Sequence, residues 1–368
     1  MKKIPFVDLK AQYLSIRSEI DTAIQQVLEQ TAFIGGKNPF VQQFEESFAT
    51  YMGINHVMSC GNGTDSLEIL LKAYGIGIGD EVIVPAMSWI STSEVVSAVG
   101  AKPVFVDIDP VYYTIDPSKI QAAITSRTKA IIPVHLYGQP ADMDPIMRFA
   151  SDHNLVVIED CAQAHGAFYK GEMVGTIGHA SSFSFYPGKN LGAYGDAGAM
   201  ATNDDHIAAI CRMIANHGQQ GKHNHIMEGR NSRMDGLQAA VLSVKLSHLH
   251  KWTMLRQQHA EMYTSLLEHA SIVTPQVRPS GAHVFHLYVM QVPDRTQLAQ
   301  VLKEKGIETA VHYPMSLPFL ACYQHYQYTA EQFPVAASFQ HKIISLPMYA
   351  ELTTEAIAYI SEQLKQLI

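Results

Sequence analysis

The chain has few cysteines, four in 368 residues: Cys60, Cys161, Cys211 and Cys322. None stands in a CxxC pair, so neither a zinc site nor a disulfide framework has support, and the thiols read as those of a reduced protein. Charge is also scarce, with Asp, Glu, Lys and Arg at 16% of residues and a net charge of −8. That balance argues against a nucleic-acid footprint. It does not forbid an anionic ligand, because a local nest of backbone amides binds phosphate on an acidic protein too. No apolar stretch reaches the roughly 18 residues of a membrane span. The opening MKKIPFVDLKAQY lacks the apolar run of a signal peptide, since Asp8 and Lys10 interrupt it. The expectation is a soluble, cytoplasmic protein that engages neither membrane nor nucleic acid. Apolar residues are plentiful at 47%, which excludes disorder and suits two domains of roughly 100–200 residues.

Helical spacing runs through 8–30 (Leu9, Tyr13, Ile16, Ile20, Ile24, Val27, Leu28). It breaks at 31–39, with Gly35, Gly36 and Pro39, and resumes over 40–52. Seven short apolar runs follow, at 56–59, 81–84, 103–106, 130–134, 155–158, 181–185 and 199–202. They alternate with helical stretches at 64–74, 91–99, 117–123, 144–152 and 204–215. Runs that are apolar throughout suit strands covered by helices on both faces. The fold class is therefore α/β, with a doubly wound, mostly parallel sheet. After Met234 the texture changes: 236–263 reads as one long helix or a broken pair. A strand-like 283–292, a helix at 296–305, a β-like 308–312, a proline-punctuated loop and a final helix at 354–367 follow. This predicts a large α/β domain over 1–245 and a smaller α+β domain over 246–368.

Three motifs carry chemistry. Cys60-Gly61-Asn62-Gly63-Thr64-Asp65 lies between a strand and a helix. It reads either as a phosphate cradle at a helix N-terminus or as a plain turn with Thr64 or Asp65 as N-cap. Glu159-Asp160-Cys161-Ala162-Gln163 puts an acid at the end of a buried strand, where open α/β sheets bind ligands. That acid could hold a protonated ring nitrogen, or form a structural ion pair or cap. Ser184-Phe185-Tyr186-Pro187-Gly188-Lys189 sets a lysine after a strand, pinned by Pro187 and Gly188. A lone lysine is usually a solvated charge, but one with a lowered pKa is a nucleophile. A phosphate cradle, a ring-nitrogen acid and a Schiff-base lysine, in that order, are what pyridoxal 5′-phosphate (PLP) needs.

On these residues the chain resembles the DegT/DnrJ/EryC1/StrS sugar aminotransferases, a branch of the aspartate aminotransferase fold (PLP fold type I). The likeness runs nearly end to end. It takes in Ile4–Leu9, Gly63-Thr64-Asp65, Gly79–Ile83, Glu159–Gln163, Ser184–Lys189, Asn231-Ser232-Arg233-Met234-Asp235, His312-Tyr313-Pro314 and Ser345-Leu346-Pro347-Met348. The resemblance implies that Lys189 bonds the cofactor and shuttles protons, and that Asp160 pairs with the pyridine nitrogen. It places Gln163 near the ring hydroxyl, Trp89 on the ring face, and Gly63, Thr64 and Ser184 on the phosphate. Asn231 would reach the phosphate of a neighbouring subunit, which implies a homodimer with shared sites. Lys189 stands where dehydratases of the family carry histidine. Cys161 departs from the Ala common there and reads as a space-filling small hydrophobe.

Family members commonly use L-glutamate to aminate a nucleotide-linked keto-sugar. Tyr186, His312 and His325 match the members that act on dTDP-3-keto-6-deoxyhexoses, which implies a dTDP-3-amino-3,6-dideoxyhexose as product. A UDP-linked 3-keto sugar, a 4-keto sugar, and a non-catalytic PLP-binding regulator are the other readings. The stretch His217–His225 reads as a substrate loop rather than a metal tract, having no carboxylate or cysteine at a ligand spacing. Lys222 and Arg230 are candidates for the diphosphate, and Arg233 for the diphosphate or the donor carboxylate. No metal is expected. Gly75–Asp80 half resembles a dinucleotide fingerprint, but it precedes a strand instead of opening a helix.

Overall fold

The computed structural model describes residues 3–35, 38–268, 271–279 and 281–367. Gly36, named above as part of a helix break, lies outside them. The first segment supplies helices α1 (Leu9–Ser15), α2 (Arg17–Glu29) and α3 (Pro39–Met52). The centre alternates β1 (His56–Cys60), α4 (Gly63–Ala73), β2 (Glu81–Pro85), α5 (Ser91–Ala98), β3 (Lys102–Val106), α6 (Ile120–Ala123), β4 (Thr128–Ile131), α7 (Met143–His153) and β5 (Val156–Asp160). A small hairpin, β6 (Phe168–Tyr169) and β7 (Glu172–Met173), leads to β8 (Ala180–Ser184), β9 (Gly198–Thr202) and α8 (Asp205–Ala215). The long α9 (Gly236–Leu267) precedes β10 (Gly281–Ala282), β11 (Tyr288–Gln291), α10 (Arg295–Glu304), α11 (Pro334–Phe339), β12 (Ile343–Leu346) and α12 (Thr354–Lys365).

The main sheet has seven strands in the order β1-β9-β8-β5-β4-β2-β3. Pairs from β8 through β3 are parallel, and β9 runs against both its neighbours. The C-terminal ends of β1, β2, β5 and β8 therefore share one edge. The three chemical motifs and Trp89 all follow those ends, so the topology gathers them.

Local chemistry explains the helices. Asn38 caps α3, its Oδ1 accepting from the amides of Phe40 (3.0 Å) and Val41 (3.3 Å), with Pro39 in the first turn. α3 then buries Phe44 and Phe48 against the sheet. Phe48 meets Phe183 edge-on at 5.1 Å and Phe185 at 5.5 Å. This aromatic cluster seats β8, and hence the start of the lysine loop. Truncating Phe48 to alanine is expected to cost about 3–5 kcal/mol.

The C-terminal region builds a second core from Tyr263, Tyr288, Ile344, Leu346 and Ile360 around the antiparallel pair β11/β12. Its connecting segment returns to the large sheet. Leu317 N–H donates to Ala86 O (2.8 Å), and the Asp107 carboxylate accepts from Val335 and Ala336 N–H. α9 is one unbroken helix, and the 245/246 division falls inside it. The β-like 308–312 forms no named strand among the described residues: Ala310 makes an isolated bridge to Ser345, and Glu308 N–H donates to Ile4 O (3.0 Å). The strand-like 283–292 narrows to β11, and its partner β12 had no counterpart in the sequence reading.

Candidate active site

Asp160 ends β5 with 6% of its surface exposed. Its Oδ2 accepts from Thr92 Oγ1 (3.0 Å) and its Oδ1 from Ala162 N–H (3.1 Å). Ser88 Oγ lies 2.8 Å from Thr92 Oγ1, so a hydroxyl relay supports the carboxylate from the loop after β2. Burial raises the pKa of Asp160 above the usual carboxylate value, against the pull of Ala162, Thr92 and Lys189. An acid desolvated in this way gains most from a cationic partner. Its neighbour Glu159 points to the other face of the strand. There it accepts from the amides of Gly175 (2.8 Å), Ile177 (2.9 Å) and Gly178 (2.6 Å) and pairs with His135 Nε2 (2.9 Å). His135, Glu159 and Cys161 bring possible metal-ligating atoms within 4.8 Å of one another. Their chemistry is that of a hydrogen-bonded anchor: Glu159 is saturated, His135 Nδ1 accepts from Ala141 N–H (3.0 Å), and burial holds the Cys161 thiol protonated.

Lys189 follows β8 in a tight turn, its N–H donating to Tyr186 O (2.8 Å). Burial lowers its pKa to about 8, against the opposite pull of Asp160. Lys189 acts electrostatically on His165, His286 and His312, and burial drives each below the ordinary imidazole value, His165 to about 3 and His312 to about 4. The lysine thus has neutral imidazoles and one carboxylate within its electrostatic reach. His165 is fully buried. His286 Nδ1 lies 3.2 Å from Asn190 Oδ1, and His312 Nδ1 lies 2.8 Å from Ser345 Oγ.

Gly63 opens α4 directly against Ser184: a Cβ at this glycine would stand 2.6 Å from Ser184 Cβ. That contact demands glycine and sets a helix N-terminus beside a hydroxyl. The cap is Asn62, whose Oδ1 accepts from Asp65 N–H (2.8 Å), and not Thr64 or Asp65. Thr64 Oγ1 instead lies 2.7 Å from Ser91 Oγ. Gln163 Oε1 accepts from Tyr137 N–H (2.7 Å) and its Nε2 donates to Tyr313 OH (2.9 Å), which fixes the amide orientation. Trp89 is 58% exposed, its ring 5.6 Å from that of Tyr313. Such exposure of a large ring beside a crevice suits a stacked ligand. A phosphate cradle that no Cβ can enter, a desolvated acid and a lysine of lowered pKa together fit PLP.

Other named residues lie apart. Tyr186 is largely exposed, its N–H reaching Ser184 Oγ at 3.4 Å. His325 is exposed on the 3-10 turn Ala321–Tyr326, its ring 4.0 Å from that of Tyr326. His217 is exposed, its carbonyl held by His225 Nδ1 (2.8 Å). Asn231 is exposed and accepts from Arg233 Nε (3.1 Å). Arg233 lines a groove of about 560 Å³ with Glu45, Arg212 and Asn216, away from Lys189. Arg230 pairs with Asp65 (3.0 Å) and Glu68 (2.8 Å). The sequence reading missed Thr92, Tyr137, His165 and His286. His165 was the one with a signal, lying two residues beyond the motif that ends at Gln163.

The DegT/DnrJ/EryC1/StrS aminotransferase family profile matches residues 14–365. The chain belongs to that family. It is 46% identical to the "Pleiotropic regulatory protein" of Geobacillus stearothermophilus, covering 99% of this chain and 98% of that one. It is 43% identical to the UDP-2-acetamido-2-deoxy-3-oxo-D-glucuronate aminotransferase of Pseudomonas aeruginosa (97% and 98% covered). It is also 43% identical to the dTDP-3-amino-3,6-dideoxy-alpha-D-galactopyranose transaminase of Aneurinibacillus thermoaerophilus (98% of each). The crystal structure of S. venezuelae DesV superposes with a TM-score of 0.97 at 40% identity, covering 100% of this chain and 99% of that one. A neighbouring sugar aminotransferase from Streptococcus pneumoniae is solved in PLP and PMP forms, at TM-scores of 0.90 and 0.91 and 26% identity. The chain is a PLP-dependent sugar-nucleotide aminotransferase. Among the described residues no helix is long and apolar enough to cross a membrane.

Proposed function

We propose that this enzyme moves an amino group from L-glutamate to the C-3 ketone of a dTDP-3-keto-6-deoxyhexose, giving a dTDP-3-amino-3,6-dideoxyhexose, as a cytoplasmic homodimer with shared sites. The observation that carries the chemistry is Lys189, lowered to about 8 and facing Asp160 across a crevice of neutral groups. PLP, when bound, supplies the electron sink. Asp160 keeps the ring nitrogen protonated, Thr92 and Ala162 hold that carboxylate in place, and Trp89 covers the ring face. Gly63, Thr64 and Ser184 take the phosphate, and Gln163, locked by Tyr137 and Tyr313, presents its amide toward the ring hydroxyl. Lys189 Nζ, partly unprotonated near pH 8, would take the proton from the donor's α-carbon and hold it for return to the carbon two bonds away, across the nitrogen.

A relative at 43% identity is named for a dTDP-3-amino-3,6-dideoxy sugar. Asn231 and Arg233, exposed or half-buried and outside the crevice, suit a contribution to a partner subunit's site. The second reading, a UDP-linked keto-sugar, has a relative of equal identity behind it. The regulatory reading has the name of another relative, but it leaves the desolvated pair Asp160 and Lys189 without a task. Product mass after incubation with L-glutamate and a panel of keto-sugars separates them. Amination of the dTDP-3-keto-6-deoxyhexose supports the proposal. Turnover of only a 4-keto or UDP-linked sugar, or of none, overturns it.

A further inference from the structure

Lys245 lies on α9 with none of its surface exposed. Its Nζ donates to the carbonyl of Gly192 (2.7 Å) and sits 4.3 Å over the ring of Tyr194. No ion pair closes on it among the described residues. Glu351 is the acid that acts on it, and Glu351 Oε1 has no hydrogen-bond partner. Burying an ammonium without a carboxylate beside it costs free energy that a methionine of similar length would avoid. Packing alone does not account for the lysine.

The carbonyl it holds is tied to the site. A Cβ at Gly192 would lie 2.4 Å from Pro187 O, so the turn 187–192 closes back on itself. Lys189 N–H bonds Tyr186 O and Ala193 N–H bonds Phe185 O, each at 2.8 Å. Moving Gly192 therefore moves Lys189. Seven residues before Lys245, on the same face of the helix, Gln238 Oε1 accepts from Tyr194 N–H (2.8 Å). Asn190 is held from the other side by Val284 O (3.1 Å) and His286 (3.2 Å).

We propose that Lys245 is a positioning residue for Lys189: its ammonium, delivered by α9, holds the Gly192 carbonyl and so fixes the turn from which the reactive amine projects. This rests on the assignment of Lys189 given above. The test begins with the wild type, incubated with PLP, reduced with borohydride and mapped by peptide mass. A label on a lysine other than Lys189 would defeat that assignment, independently of the variants.

With Lys189 labelled, Lys245→Met and Lys245→Arg are compared by three readouts. They are amide exchange over 186–195, the pH dependence of Lys189 acetylation in the cofactor-free protein, and kcat and KM for L-glutamate. In Lys245→Met the segment should exchange about tenfold faster and the acetylation midpoint should rise above the wild-type value near 8. kcat should fall about 10–100-fold with KM within about threefold, as for a displaced reacting group. Lys245→Arg, keeping a cationic donor, should recover most of each. If Lys245→Met does not fold, Lys245→Gln, whose amide stops one bond short of the carbonyl, should show the same shifts. A folded Met or Gln variant with wild-type exchange, midpoint and kcat overturns the proposal, even if its melting temperature falls.

Discussion

The crevice around Lys189 and the segment 216–233 are built from the same residue types and use them in opposite ways. In the crevice, His165, His286 and His312 are enclosed, and burial removes their ability to carry charge near neutral pH. In the segment, His217, His223 and His225 stand in solvent on a hairpin closed by isolated bridges from Asn216 to Asn231 and Gln219 to His225. Arg230 spends its charge on Asp65 and Glu68, whereas burial lowers the pKa of Lys189 and leaves its amine partly unprotonated. Depth, more than residue type, decides which histidine or cation can take part in chemistry.

The largest break in that contrast should come from Lys189→Ala, which removes the one amine in the crevice. Turnover is expected to fall by at least about 10³-fold, read as steady-state kcat with PLP in excess. Asp160→Asn keeps the shape but not the charge, and a fall of about 10²–10³-fold is expected, with weaker cofactor retention on dialysis. Gly63→Ala should weaken PLP binding by about 10–100-fold in a fluorescence titration, since α4 must back away from Ser184.

Lys189→Met sharpens the comparison through stability. The folded-state pKa of Lys189 is depressed, so the unfolded chain holds more protons between about pH 8 and 10.5. The cofactor-free variant should therefore gain stability at pH 7, by about 1–3 kcal/mol, and the gain should shrink as pH rises through that window. Denaturant melts at pH 7 and 10 check the sign. Smallest of all, His217→Ala, His223→Ala and His225→Ala should each shift stability by no more than about 0.5 kcal/mol in the same melts.

The sheet was legible because its seven strands are short, several of them apolar throughout, and alternate with helical stretches, and each observed strand lies within a few residues of its expected place. The motif residues were legible because they sit at strand ends, where sequence order maps onto one edge. Glu308–His312 misled because Thr309, Ala310 and Val311 look strand-like, while its ladder stops at the isolated bridge from Ala310 to Ser345. Ile343–Leu346 escaped because three apolar residues and a serine beside a proline loop carry no period of their own. His286 could not be picked out among 18 histidines, since what distinguishes it is enclosure by segments distant in sequence. The grip of Lys245 on Gly192 spans 53 residues and leaves no local pattern.

The central claim is that Lys189, opposed by Asp160, is where this chain holds its cofactor and begins transamination. The most direct measurement is the visible absorption of the purified protein with PLP, before and after L-glutamate, for the wild type and Lys189→Ala. The account predicts a yellow wild-type band that glutamate collapses, and no such band in the variant. A wild type that shows no band with PLP, or a Lys189→Ala variant whose band and glutamate response match the wild type, would contradict it.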